Sequence, residues 1–151
     1  MLVKVFGAAV QGIDAFIITI EVSTSRGIKF FLVGLPDVAV RESHERIVSA
    51  LQVNGYKFPT SQIIVNMAPA DIRKEGAAYD LPLAVGIMTG AEIIKPNHLT
   101  EYIIMGELSL DGGAAVITTL LGSLQSLIVT SISLPFPSFI VVFAVSAIGK
   151  H

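Results

Sequence analysis

The chain has 151 residues, enough for one ordinary domain and too few for two large ones. Apolar residues make up 52% and charged residues 15%, which argues against intrinsic disorder, because disorder requires low hydrophobicity and high charge. A net charge of -2 gives no overall basic footprint for nucleic acid, and the lack of cysteine excludes disulfides, thiolate zinc sites and a cysteine nucleophile.

The N-terminus does not resemble a signal peptide, because Gln11 and Asp14 interrupt its apolar run. A chain without cysteine also fits a reducing compartment. We therefore expect a cytoplasmic location.

Charge is distributed unevenly along the chain. Residues 1–113 contain all 12 acidic residues and 9 of the 10 lysines and arginines. Residues 114–151 contain a single charged residue, Lys150. We therefore predict a folded domain over residues 1–113 and a divergent apolar tail over residues 114–151, with the boundary near Gly112-Gly113.

Runs rich in β-branched and aromatic residues predict the strands of the first part. The predicted strands are residues 3–10, 15–22, 29–33, 62–67 and 102–110.

Two helices are predicted between these strands. The first has Asp37 as its N-cap and Gly55 as its stop. Its predicted buried face recurs at helical spacing and consists of Val40, His44, Ile47 and Leu51. The second begins at Asp80, interpreted as a helix cap rather than an acid catalyst, and its apolar residues on nearly every side predict burial. The order β-β-β-α-β-α-β predicts an α+β fold, a mixed sheet with helices on one face.

Two common chemical motifs are absent from the sequence. A phosphate loop requires a glycine five residues before a Gly-Lys pair, but Gly149-Lys150 has Ala144 at that position. His44-Glu45 begins a zinc-binding His-Glu-x-x-His pattern, but Val48 replaces the second histidine. We interpret His44 as a partly buried, hydrogen-bonded side chain.

The densest polar feature is the loop of residues 71–79, which contains Asp71, Arg73, Lys74 and Glu75. Loops on a rigid scaffold often form contact or catalytic sites, and they are also often solvated turns between elements. The residues alone leave both interpretations open.

Several motifs in a fixed order resemble one protein family. They are Val33-Gly34-Leu35-Pro36-Asp37, Asn66-Met67-Ala68-Pro69-Ala70-Asp71-Ile72-Arg73-Lys74-Glu75-Gly76, Tyr79-Asp80-Leu81-Pro82 and Gly106-Glu107-Leu108-Ser109-Leu110-Asp111-Gly112. Together they resemble the N-terminal domain of ComM/YifB proteins, often labelled magnesium-chelatase-like or ChlI-like.

The resemblance implies a fold like the proteolytic domain of Lon, shared with a domain of a ribosomal small-subunit protein. It also implies that an AAA+ ATPase module, using ATP and magnesium, follows this domain in intact family members. The implied role of the intact protein is that of a hexameric helicase driving DNA branch migration in natural transformation. We expect no cofactor in this chain itself.

The same resemblance allows a residue-by-residue comparison with Lon-type peptidases, which use a Ser–Lys dyad. Glu75-Gly76-Ala77 matches the stretch that precedes the nucleophile, so Ala78 stands in place of the serine. Without a nucleophilic oxygen there is no acyl-enzyme route. The sequence diverges before the segment that should carry the lysine.

Three interpretations of the tail are open. It is a frameshift product, which we favour, a membrane anchor, or a pair of further strands over residues 127–134 and 139–145.

We therefore predict a truncated ComM/YifB-like protein without catalysis of its own. DNA and further copies of the chain are the predicted partners, and Arg73, Lys74 and Glu75 are the predicted partner contacts. The alternatives are a Lon-like serine peptidase and a small membrane-anchored binding module.

Overall fold

The computed structural model describes residues 1–97 and 99–110, and beyond residue 110 only three two-residue strands. The long strands are β1 (Leu2–Gln11), β2 (Asp14–Ser25), β3 (Phe30–Val33) and β4 (Gln62–Ala68), and the helices are α1 (Val38–Arg41), α2 (Ser43–Val53) and α3 (Asp80–Gly90). The short strands are β5 (Glu107–Leu108), β6 (Ala114–Ala115), β7 (Ile128–Val129) and β8 (Phe143–Ala144). This order confirms the predicted α+β class.

The four long strands form one mixed sheet in the order β1-β2-β4-β3. β2 pairs antiparallel with both β1 and β4, whereas β3 runs parallel to β4. A tight turn at Gly12, with φ at +66°, joins β1 to β2. β1 and β3 are consequently the edge strands of this sheet.

One face of the sheet holds the core. Alternate residues of the three longest strands are buried there, because side chains in a strand point to opposite faces with a period of two. The buried set includes Val3, Val5, Ile18, Ile20, Val22, Ile63, Val65 and Met67. α3 packs on β1 and β2, and α2 packs on α3. Every residue of α3 except Thr89 is buried, which confirms the prediction of a buried helix.

The first predicted helix is divided into two. The Asp37 cap is confirmed, since its carboxylate accepts a hydrogen bond from Val40 N–H at 2.8 Å. However, α1 ends at Arg41 and α2 begins at Ser43. Val40, Ile47 and Leu51 of the predicted face are buried, whereas His44 is only half-buried and its neighbour Ser43 is buried. The prediction of a single continuous helix was therefore wrong.

The predicted cap role of Asp80 was also wrong. Tyr79 occupies the N-cap position of α3 and makes no side-chain capping bond, and Asp80 is the first residue of the helix itself. Asp80 lies inside the first turn of α3 and is fully buried. Its carboxylate forms an ion pair with Arg46.

The last predicted strand, residues 102–110, is much shorter in the structure. Ile103 makes one parallel bridge with Phe6, and Ile104 N–H donates to Phe6 C=O at 2.7 Å. The chain then leaves the edge of β1, because Gly106 N–H bonds instead to Ala78 C=O at 2.7 Å. Only Glu107–Leu108 is a strand beyond this point, paired with β6.

β7 and β8 pair antiparallel and fall within the two tail segments predicted as strands. The rest of residues 111–151 lies outside the described residues, so the three interpretations of the tail remain predictions. Within the described residues, no helix is both long and apolar enough to cross a membrane.

Candidate functional site

Two motif segments that are far apart in sequence lie side by side. Pro36 and Lys74 form a parallel bridge, Asp37 N–H donates to Lys74 C=O at 2.9 Å, and Lys74 N–H donates to Leu35 C=O at 3.3 Å. The loop is therefore held at Lys74 in an extended conformation along residues 35–37. It is not a loosely solvated turn.

The Asp37 carboxylate fixes this arrangement with both oxygens. Oδ1 caps α1 through Val40 N–H, and Oδ2 accepts from Gly76 N–H at 3.0 Å. One side chain thus joins the start of a helix to the end of the polar loop. Hydrogen bonds to an ionised acceptor are among the stronger ones in proteins.

A glycine is required at the start of the first motif. Gly34 has φ at +101°, and a Cβ there would lie 2.1 Å from the carbonyl oxygen of Met67. Only glycine allows the chain to pass so close to β4 in this conformation. The following residue, Leu35, also has a positive φ, at +59°.

The extended loop separates the three predicted contact residues. Arg73 and Glu75 are exposed, with 67% and 63% of their side chains accessible, and their Nε and Oε1 atoms are 2.9 Å apart. Lys74 points the opposite way and is fully buried, with its Nζ donating to Pro69 C=O. Burial lowers the pKa of Lys74, and the charge of Asp71 opposes that shift. In this conformation the surface open to a partner is formed by Arg73 and Glu75 without Lys74, and partner contact by any of the three remains a prediction.

A groove of about 520 Å³ lies beside this loop. Its lining comes from three segments and consists of Ala8, Ala9, Val10, Gln11, Gly12, Ile72, Arg73, Glu75, Ala78, Tyr79 and Met105. We call it the β1 groove, because the end of β1 forms one wall. Ala78, which the resemblance places where Lon has its serine, lines this groove with a methyl group.

Tyr79 is the buried polar residue of the groove. Its hydroxyl donates to Ala8 C=O at 2.8 Å, and burial raises the pKa of the Tyr79 phenol, which keeps it neutral. Tyr79 stands in one of the motifs that carry the family resemblance, but neither it nor the neighbouring Met105 was predicted as a site residue. No local pattern marks them as groove residues, because the groove exists only once the three segments have met.

Arg46, whose side chain is 19% exposed, forms an ion pair with the fully buried Asp80. Nε and Nη2 of Arg46 lie 2.6 and 2.9 Å from the two Asp80 oxygens, and Leu108 N–H donates to Asp80 Oδ2 at 3.2 Å. Burial raises the pKa of Asp80, whereas the bonds from Arg46 act in the opposite direction. The hydrogen bond to Asp80 raises the pKa of Arg46. The pair joins α2, α3 and β5.

His44 has aromatic neighbours rather than metal ligands. Its ring centroid lies 4.7 Å from that of Phe30 and 5.0 Å from that of Phe58, and Nδ1 is 3.1 Å from Glu45 Oε1. This position agrees with the interpretation as a partly buried, hydrogen-bonded side chain. The other two histidines lie outside the described residues, and within those described no cluster of three potential metal ligands occurs.

Comparison with known proteins identifies the family. The family model described as subunit ChlI of Mg-chelatase matches residues 20–141, a span that passes the predicted boundary at residue 113. The chain is 43% identical over 105 residues to the Escherichia coli K12 protein YifB, covering 69% of this chain and 21% of that protein. It is 42% identical over 109 residues to the Haemophilus influenzae competence protein ComM, covering 72% and 21% of the two chains.

A more distant relative from Mycobacterium tuberculosis H37Rv is 34% identical over 110 residues, covering 72% of this chain and 22% of that protein. The chain thus spans about a fifth of the length of the curated relatives it matches. The family match extends over most of the chain. The chain belongs to the ChlI-like family of ComM and YifB proteins, of which it represents the N-terminal domain.

Proposed function

We propose that this chain supplies the accessory domain of a hexameric, ATP-driven machine that moves DNA branch points during natural transformation. The observation that carries this proposal is family membership combined with 42% identity to a competence protein. The motor would lie in the part of the intact protein that follows this domain. ATP and magnesium would bind there, and the domain would contribute assembly or substrate handling in the cytoplasm.

The geometry of the groove supports a role without catalysis. Ala78 presents no nucleophilic oxygen, and the Nζ of Lys74 is turned away from the groove towards Pro69. The Tyr79 hydroxyl is bonded to a backbone carbonyl. The groove therefore lacks a nucleophilic oxygen at Ala78, and the Lys74 amine and the Tyr79 hydroxyl, which could activate a nucleophile, are both used in structural hydrogen bonds.

The exposed pair of Arg73 and Glu75 is the surface that we propose for contact with DNA or with a further copy of the chain. Both side chains project from a loop that is held by backbone bonds to residues 35–37. A rigid support reduces the entropy lost on binding, so such a loop suits recognition.

The direct test is ATP hydrolysis by the purified chain in the presence of branched DNA. We expect no turnover above that of a matched preparation from cells lacking the gene. Turnover on the order of 1–10 per second, typical of an enzyme, would contradict the proposal. Copurified ATPase is controlled by showing that the activity elutes with the chain.

A Lon-like peptidase is the second candidate, and the groove beside Ala78 is the observation that favours it. Cleavage of casein by the purified chain would support this candidate. We expect no cleavage from the chain or from Ala78→Ser, because Lys74 is buried away from the groove and cannot act as the base. A gain of activity in Ala78→Ser would show that the groove retains the rest of a peptidase site.

A small membrane-anchored module is the third alternative from the sequence. It depends on residues 114–151, which mostly lie outside the described residues. Resistance of the full chain to carbonate extraction from membranes would support it.

A further inference from the structure

The outer edge of β1 directs backbone hydrogen-bonding groups towards the β1 groove. Along an edge strand, the backbone N–H and C=O groups of one residue bond to the neighbouring strand, and those of the next residue point away from it. Phe6 and Ala8 belong to the outward set: Phe6 C=O accepts from Ile104 N–H at 2.7 Å, and Ala8 C=O accepts from the Tyr79 hydroxyl at 2.8 Å. Ala8 N–H also points outward, towards Met105 Sδ at 3.3 Å.

Val10 comes two residues later and therefore points its N–H and C=O in the same outward direction. The segment around Ile103 runs parallel to β1 at Phe6 and then turns away at Gly106. Among the described residues, none makes a backbone bond to the outward side of Val10. Val10 is 43% exposed as a residue, and it lines the groove.

We propose that the β1 groove binds an extended peptide segment of another polypeptide, which adds to the edge of β1 as a new strand. Val10 N–H and C=O would make the backbone hydrogen bonds to the added strand. Side chains of the peptide would rest against Ala78, Ile72 and Met105. The peptide is bound without being cleaved. This inference goes beyond the proposed function, and either one can fail while the other holds.

The groove fits a peptide better than it fits a nucleic acid. An exposed strand edge offers donors and acceptors at the spacing of another extended backbone, which is the basis of strand addition. Apart from Arg73 and Glu75, whose charges offset each other at the rim, the residues that line the groove are uncharged, so its interior offers no excess positive charge for phosphates. The volume of about 520 Å³ falls in the range of sites for ligands the size of a few residues.

The test uses the full chain and neutral probes. The probes are fluorescein-labelled, C-terminally amidated hexapeptides in which alternate positions are randomised over Ala, Val, Leu and Ser. Fluorescence anisotropy measures affinity, and ¹⁵N-labelled protein shows which backbone amides shift. We expect binding, with the largest shifts at Val10, Gln11 and Gly12.

Two proline variants on the same strand edge locate the binding. Val10→Pro removes the outward N–H while leaving the bonds between β1 and β2 intact, because proline is tolerated on the free side of an edge strand. We expect it to weaken binding by about 10-fold, as for the loss of one hydrogen bond that leaves its partner unsatisfied. Leu2→Pro alters an outward residue at the far end of the strand and should bind as wild type does. Thermal unfolding checks that both variants are folded.

A second measurement does not depend on any protein variant. Peptides N-methylated at one position lose the donor on one edge only. For an added strand, N-methylation should block binding at the one position whose N–H bonds to Val10 C=O and have little effect at the neighbouring positions, whose N–H groups point away from β1.

Binding that ignores the position of the N-methyl group, or that Val10→Pro and Leu2→Pro weaken equally, would overturn the proposal. The proposal would also be overturned if no peptide of the library bound at about 1 mM. This outcome includes the case in which the tail of this chain already fills the groove.

Discussion

Among the glycines that the structure describes, Gly34 is the one whose identity the fold constrains most tightly. It combines a positive φ with backbone contact to Met67, at the point where the chain passes from β3 to the Asp37 cap. Gly55 also has a positive φ, at +80°, but an added Cβ there meets nothing within 4 Å. Substituting each glycine in turn therefore distinguishes the free-energy cost of a side chain at positive φ from the cost of the close contact with Met67.

We expect Gly34→Ala to lower the free energy of unfolding by about 3 kcal/mol or more, through strain and overpacking. Gly55→Ala should cost only about 1 kcal/mol, because it adds the conformational penalty alone. Urea unfolding followed by circular dichroism measures both. Equal losses in the two variants would show that the contact with Met67 is relieved at little cost.

The ion pair between Arg46 and the buried Asp80 provides the second test at this scale. Asp80→Asn removes the charge that compensates Arg46, and we expect a loss of about 3 kcal/mol in the free energy of unfolding. Glu42→Gln is the matched control, since Glu42 is 3.9 Å from the same guanidinium but 64% exposed, and it should cost less than about 0.5 kcal/mol. The structural role assigned to Asp80 fails if both variants unfold alike.

Glu21, on the face of the sheet opposite the core, gives a pH dependence. Its carboxylate accepts from Asn66 Nδ2 at 3.1 Å and lies 3.3 Å from Lys4 Nζ, and these contacts lower the pKa of Glu21, with the Asn66 bond the larger cause. The folded state therefore releases this proton more readily than the unfolded state. The resulting stability is present above the ordinary glutamate pKa of about 4.3 and is lost as the pH falls through the lower, folded value.

We expect the stability advantage of wild type over Glu21→Gln to be largest near neutral pH and to shrink below about pH 4.3. Urea unfolding of both proteins between pH 7 and 3 measures it. A constant difference over that range would show that the carboxylate is not stabilised by its neighbours.

At the scale of elements, α3 illustrates how closely helix and sheet pack. A Cβ on Gly86 would lie 2.7 Å from Val22 Cγ2 and 3.3 Å from Val5 Cγ2. Alanine normally favours a helix over glycine by about 1 kcal/mol, but the overlap with β2 should exceed that gain.

We expect Gly86→Ala to destabilise the protein by about 1–2 kcal/mol in spite of its helix propensity. Val22→Ala removes the overlapping methyl groups, so the double variant should lose at least ~1 kcal/mol less than the sum of the two single variants. Thermal or urea unfolding of wild type, the two single variants and the double variant measures this double-mutant cycle. Simple additivity would mean that α3 shifts freely against the sheet.

The elements that sequence patterns predicted well are those whose signal is local. β1, β2, β4 and the buried α3 follow from runs of apolar residues, and the Asp37 cap follows from its place before a helical face. The errors arose where a tertiary contact decided the outcome. Gly106 leaves the strand edge to bond with Ala78, and Asp80 pairs with Arg46, which lies 34 positions away.

At the scale of the whole molecule, the candidate site was predicted only in part. The polar loop was identified from its composition, but the burial of Lys74 between exposed Arg73 and Glu75 depends on the pairing of that loop with residues 35–37. The β1 groove could not be predicted, because the end of β1, the polar loop and Met105 meet only in the fold. Composition gave no signal for an exposed strand edge.

The central claim is that this domain is an accessory part needed by a DNA-handling machine, and one measurement tests it most directly. In Haemophilus influenzae ComM, the aligned 109-residue segment is deleted or replaced by the matching segment of this chain, and transformation frequency is measured at equal protein levels. We predict that the deletion abolishes the function of ComM in transformation and that the replacement restores most of it. A deletion that transforms as well as intact ComM would contradict the account.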